Sequence, residues 1–107
     1  MTDEPRLAKF KDMVARFPGD ARARYFLAHE LFRVEAWEAA AEQYDAHVRL
    51  EPGDTGAALK NLGLCHERLG RKEAAAAAYR LAIERALQHR HEGLASEIRV
   101  LLDALDD

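Results

Sequence analysis

At 107 residues the chain is long enough to bury a core and short enough to favour one domain. Hydrophobic residues make up 49% and charged residues 33%, an ordered composition, and the formal net charge of -3 argues against general affinity for nucleic acid or acidic membranes. No stretch approaches the ~20 consecutive apolar residues of a membrane helix, the start Met1-Thr2-Asp3-Glu4 lacks the basic-then-apolar pattern of a signal peptide, and Cys65 is the single cysteine, so a cytoplasmic protein without a disulfide is expected.

Alanine, leucine, glutamate and arginine fill long stretches, and these side chains lose little rotamer freedom in a helix. A first helix is predicted over about 4–17, closed by Phe17-Pro18-Gly19-Asp20. That tetrapeptide returns as Glu51-Pro52-Gly53-Asp54, 34 residues later. Proline cannot continue a helix, glycine tolerates a positive φ, and Asp20 and Asp54 then stand where a carboxylate can cap the next helix. A second helix (about 20–34) and a third (about 36–50) lie between the copies, and a fourth (about 54–69) and a fifth (about 71–90) follow. Leu27-Ala28 in the second helix matches Leu62-Gly63 in the fourth, and Ala40 and Tyr44 in the third match Ala75 and Tyr79 in the fifth, each 35 residues apart. Leu87 stands where the repeat would place a second Pro52, so the fifth helix can run on to Arg90, and His91-Glu92-Gly93 reads as a break. Leu94, Ile98, Leu101, Leu102 and Leu105 then recur at helical spacing over about 93–105. That apolar stripe is expected to face the fifth helix and seal the end of a stack.

This pattern resembles the tetratricopeptide repeat (TPR) family. One unit, Ala21 to Pro52, carries Leu27, Ala28, Ala40, Tyr44 and Pro52 at the family's places. A second, Gly56 to about His89, carries Leu59, Leu62, Gly63, Gly70, Ala75, Tyr79 and Ala82. The segment Arg6 to Pro18 is similar to the second helix of a preceding unit, with Phe10 at the aromatic place. The resemblance implies an all-α fold of antiparallel helical hairpins stacked as a short right-handed solenoid of about six helices. It divides a single 1–107 domain into an N-terminal capping helix (1–19), two repeats (20–53 and 54–90) and a C-terminal capping helix (91–107). Ala28 with Ala40, and Gly63 with Ala75, would let two backbones approach closely, while Tyr44 and Tyr79 fill the wedge between hairpins. His47, His66 and Arg24 depart from the pattern. His47 replaces a small residue, and the other two replace large apolar ones.

In this family the first helix of each unit lines a concave groove. Carried over place by place, the groove residues are Arg22, Tyr25, His29, Phe32 and Arg33 in the first unit, and Ala57, Lys60, Asn61, Leu64 and Arg68 in the second. The set is mostly basic and amphipathic, with Tyr25, Phe32 and Leu64 apolar where packing does not call for it. The expected function is therefore a monomeric protein-interaction adaptor that binds a partner segment, acidic with an apolar anchor. The alternative is a structural role, as a self-associating subunit or a component docked through its convex or end surface. One subclass of the family clamps a C-terminal carboxylate. Here only Asn61 matches that clamp, while Tyr25 and His29 replace its first lysine and asparagine, so the clamp is not expected.

Catalysis finds no foothold. Of the five histidines, His89 and His91 form an H-x-H spacing without the (i, i+4) geometry or further ligands of a metal site. His29 belongs to the groove set. His47 and His66 are expected to meet between the hairpins, as a buried hydrogen-bonded pair or a pH-sensitive joint. Cys65 falls on a packing face beside Leu62 and Gly63, and the adjacent His66 projects about 100° away from it around the helix. There is no phosphate-binding glycine loop, no His-Glu-x-x-His and no Gly-x-Ser-x-Gly. No catalytic residue, cofactor or metal ligand is assigned, and Asp106-Asp107 reads as a solvated end.

Overall fold

The computed structural model describes residues 3–106. The outermost residues of the acidic start (Met1, Thr2) and Asp107 of the terminal acidic pair lie outside the described residues, as do the side chains of Asp3 and Glu4. Six helices follow one another: α1 (Asp3–Arg16), α2 (Ala21–Arg33), α3 (Trp37–Leu50), α4 (Gly56–Arg68), α5 (Lys72–Gln88) and α6 (Glu92–Ala104). No strand occurs among the described residues. Each helix packs chiefly on its neighbours in sequence, most extensively α4 on α5 and α2 on α3, with a smaller contact between α4 and α6. Sequential contacts of this kind make a stack of hairpins rather than a closed bundle, the TPR-like solenoid that the repeat predicts.

Small residues bring the helices together. Ala28, Ala40, Ala75, Ala82, Ala86 and Ala95 are fully buried. At Gly63 the approach is closest, for a Cβ there would come within 2.5 Å of Cδ1 of Tyr79. Tyr44 and Tyr79 are the largest fully buried side chains. A buried phenol must find a hydrogen-bond partner. The Tyr44 hydroxyl accepts from Asn61 Nδ2 at 3.1 Å, joining α3 to α4, and the Tyr79 hydroxyl donates to Glu67 of α4. Burial pushes both phenols well above their usual range.

Two kinds of turn join the helices. Pro18 and Pro52 close α1 and α3, and Asp20 caps α2 by accepting from the Arg22 and Ala23 amides at 2.9 and 3.3 Å. The other three turns end a helix on a left-handed residue: Glu35 (φ 64), Gly70 (φ 76) and Arg90 (φ 60). After each comes a six-to-one backbone bond, from Ala36 to Leu31 (2.9 Å), Arg71 to His66 (2.8 Å) and His91 to Ala86 (2.8 Å). The fifth helix therefore stops at Gln88, and the break falls at Arg90 rather than at His91-Glu92-Gly93, so that Gly93 lies in the first turn of α6. The second aspartate also behaves differently. Asp54 stands 3.5 Å from the Gly56 amide and makes its short contact with His91 Nε2 at 2.7 Å, and Thr55 occupies the cap position of α4.

Three charged or polar groups are taken inside. Glu30 is 3% exposed and is held by Arg33 and, at 3.7 Å, by Arg6 of α1. Thr55 is buried and accepts from Arg85 Nη1 at 3.1 Å. His47 is buried, and its Nδ1 lies 2.7 Å from the Ala21 carbonyl oxygen. A carbonyl only accepts, so Nδ1 carries the proton. His66 does not join His47. Its Nδ1 is buried without a hydrogen-bond partner, and burial, followed by Arg71, lowers its pKa, against the opposing pull of Glu38 and Asp45.

Two predictions follow from the packing. Gly70 and Gly93 both have open space where a Cβ would stand, but only Gly70 has a positive φ. Gly70→Ala should cost about 1 kcal/mol, and Gly93→Ala should add about 0.5 kcal/mol, measured by chemical denaturation. For His66 the folded pKa lies below the unfolded one. The unfolded chain thus takes up a proton first, and stability present above pH ~6.5 falls as the pH drops below it. Thermal melts at pH 7.5 and 5.5 should show that decline, and His66→Leu should flatten it.

Candidate functional site

α2, α4 and α6 are the first helices of successive hairpins, and their early turns surround a depression of about 810 Å³. Arg22, Tyr25 and Phe26 of α2 form one wall, and Ala57 and Ala58 of α4 form the floor beside His47 and Asp54. Arg90, His91, Glu92, Gly93 and Leu94 close the far side. The apolar part of this lining is aromatic and aliphatic, the character of a small-ligand or side-chain pocket.

Tyr25 is held by aromatic neighbours on several sides. Its ring lies 5.1 Å from that of His47, 6.0 Å edge-on to Tyr44 and 6.2 Å stacked on His29. Phe26 is 37% exposed, meets Phe10 of α1 at 5.9 Å and lies under the Arg22 guanidinium at 5.8 Å. The hydrogen bond from His47 to the start of α2 fixes the back of the pocket, and the Asp54–His91 pair ties the loop before α4 to the turn before α6.

Of the ten groove residues read from the sequence, the structure brings Arg22, Tyr25 and Ala57 together around this depression. The others run farther along the same helices and are engaged within the chain. Phe32 is half-buried, edge-on to Trp37 at 5.1 Å and to Tyr44 at 6.2 Å. Arg33 binds Glu30, Lys60 Nζ lies 3.6 Å from Glu97 of α6, and Arg68 lies over Trp37 at 5.4 Å. Asn61 donates to Tyr44, and His29 is exposed on the face of Tyr25. Leu64, like Tyr25 and Phe32, is partly buried against the core. These three apolar residues thus serve the packing, against the sequence reading, because the wedge between hairpins extends to the groove floor.

Phe26 and the whole contribution of the α5–α6 turn are additions to that set. Phe26 sits beside Tyr25 on the helix, displaced by about 100°, and turns toward α1 as well as the pocket. For α6 a signal existed. Aligning Glu92 with Gly56 makes Ile98 the counterpart of Leu62 and Val100 the counterpart of groove residue Leu64, and Val100 is 69% exposed.

Among the described residues no group of three or more His, Cys, Asp or Glu could hold a metal ion. Cys65 is fully buried and its thiol is pushed up to about 11 by that burial, so it is a neutral core residue at pH 7. No described helix is long and apolar enough to cross a membrane.

The chain matches no protein-family model and no curated protein sequence. Solved structures do resemble it. The crystal structure of PcrH in complex with the chaperone binding region of PopD has a TM-score of 0.88 at 20% sequence identity, covering 98% of this chain and 79% of that one. The type III secretion translocator chaperone SycD of Yersinia enterocolitica has a TM-score of 0.88 at 15% identity, covering 98% of this chain and 72% of that one. At these identities the likeness establishes the fold, a TPR-like all-α stack shared with chaperones.

Proposed function

We propose that this chain is a protein-interaction adaptor of chaperone type that holds a segment of a partner protein in the groove of α2, α4 and α6. The observation that carries the reading is the depression of about 810 Å³ walled by Tyr25, Phe26, Ala57 and Leu94, in a fold whose similar structure PcrH was solved with a segment of PopD. An apolar side chain of the partner fills the depression. The neighbouring charges prefer an acidic flank, chiefly through Arg22 and Arg90 at the depression itself, since Arg33 and Lys60 already face Glu30 and Glu97 and Arg68 lies outside the lining. Exposed pairs contribute ~0–1 kcal/mol each, whereas a buried aromatic contact reaches ~2 kcal/mol or more, so the anchor decides affinity and the charges decide encounter rate.

In this reading the chain works as a single monomeric unit, with capping segments 1–19 and 91–107 flanking the repeats 20–53 and 54–90. It needs no cofactor, carries no catalytic residue, does not bind nucleic acid or insert into a membrane, and acts in the cytoplasm.

The test is partner capture followed by binding measurements on variants. Phe26→Ala should weaken binding by about 2 kcal/mol, roughly 30-fold. Ala57→Glu, which places a carboxylate in the depression, should abolish it, and Arg22→Ala should weaken it only about fivefold and reduce its salt dependence. All three should keep the helical circular dichroism of the parent. A partner bound undiminished by the folded Ala57→Glu chain would move the contact to the convex or end surface and favour the structural role.

A further inference from the structure

His47 departs from the repeat in a way that packing alone does not account for. Its counterpart in the second unit, 35 residues on, is Ala82, which is fully buried. A small residue therefore suffices at this place for the helices to pack. The imidazole is nonetheless taken inside, 8% exposed, and it lines the depression between α2, α4 and α6 beside Tyr25 and Ala57.

One ring nitrogen is occupied. Nδ1 lies 2.7 Å from the Ala21 carbonyl oxygen and carries the proton, because a carbonyl only accepts. In the neutral ring Nε2 then holds a lone pair and no hydrogen, so it can only accept. No described residue donates to Nε2, yet it is not sealed from solvent in the way that Nδ1 of His66 is. The aromatic and ionisable neighbours are placed otherwise. The Tyr25 ring lies 5.1 Å from the imidazole without a hydrogen bond to it, and Arg22 lies over Phe26. His91, the other imidazole at the depression, is engaged with Asp54.

We propose that His47 Nε2 opens into the depression as a fixed acceptor, selecting a partner anchor that is aromatic and ends in a hydrogen-bond donor, a tyrosine or tryptophan over phenylalanine or leucine. This rests on the groove reading and names the anchor that the groove takes. The walls of Tyr25, Phe26 and Leu94 receive the flat apolar body, and the acceptor meets the O–H or N–H at its tip. Water reaches Nε2 while the depression is open. An apolar anchor drives that water out and leaves the nitrogen without a partner, a penalty that a phenol or an indole avoids. The Tyr25 hydroxyl does not make this distinction, because it can donate as well as accept.

Titrations of the full chain at pH 8, where an ordinary imidazole is neutral, test it with p-cresol, 4-methylanisole and toluene. These stand for tyrosine, for the same ring with only an acceptor at its tip, and for phenylalanine. Amide chemical shifts of Tyr25, Phe26, Ala57 and Leu94 read where each probe binds. p-Cresol should bind there about tenfold more tightly than either of the others. The nitrogen resonance of His47 Nε2 should move to lower frequency with p-cresol alone. His47→Asn keeps an amide that can donate to the Ala21 carbonyl but has no atom at the place of Nε2. It should retain the helical circular dichroism and lose the preference; where it loses helicity, the Nε2 resonance of the parent decides. The inference is overturned, with the groove reading left standing, if toluene fills the depression as tightly as p-cresol, if folded His47→Asn keeps the preference, or if p-cresol leaves the Nε2 resonance unmoved. If none of the three probes shifts those amides, the groove reading falls with it.

Discussion

Everything in this stack depends on how closely paired helices approach at the alanine and glycine crossings. With no side chain at Gly63, the Tyr79 ring lies against the α4 backbone, and with Ala28 and Ala40 at the equivalent crossing the first hairpin can close in the same way. The rings are then fully enclosed, which obliges their hydroxyls to find partners, Tyr79 within its own hairpin and Tyr44 across to the next. Glu67 and Asn61 answer that need. At Tyr44 burial of the ring therefore comes with a polar tie from one hairpin to the next. Through Asn61 the tie reaches a residue on the groove side of α4, so the orientation of the groove follows from the wedge.

The groove is shaped by the same layering. Once hairpins stack in order, their first helices lie side by side and their early turns converge, leaving the hollow between α2, α4 and α6. Its wall is aromatic because Tyr25 serves two surfaces at once, packing on Tyr44 and His47 while lining the depression. Its charge is narrower than a count of arginines and lysines would give. A cation already facing a carboxylate contributes little field to an incoming partner, and this applies to Arg33 and Lys60. The concave side is thereby less basic and more apolar than its composition.

The architecture was readable because its causes are local or periodic. The Phe17-Pro18-Gly19-Asp20 and Glu51-Pro52-Gly53-Asp54 turns, the matching Ala40–Tyr44 and Ala75–Tyr79 pairs, and the Leu94-to-Leu105 stripe each follow from the 3.6-residue period or from what proline permits. The left-handed residues Glu35 and Arg90 were not readable, since neither is a glycine, the residue that ordinarily marks a left-handed helix end. The break placed at His91-Glu92-Gly93 moved to Arg90 for that reason.

The amino-acid sequence by itself determined six helices, their order, the small residues at their crossings and the side of each hairpin that faces inward. These depend on backbone propensity and on periodic burial, which are properties of neighbouring residues. Only the tertiary structure decided which groove residues are available. Lys60 meets Glu97, Asn61 meets Tyr44, Arg68 meets Trp37 and Asp54 meets His91, each pair joining different parts of the stack. A side chain's partner at such separations is set by the angle and distance between helices, and those come from the packing of Gly63, Ala28 and the two tyrosines rather than from any local pattern.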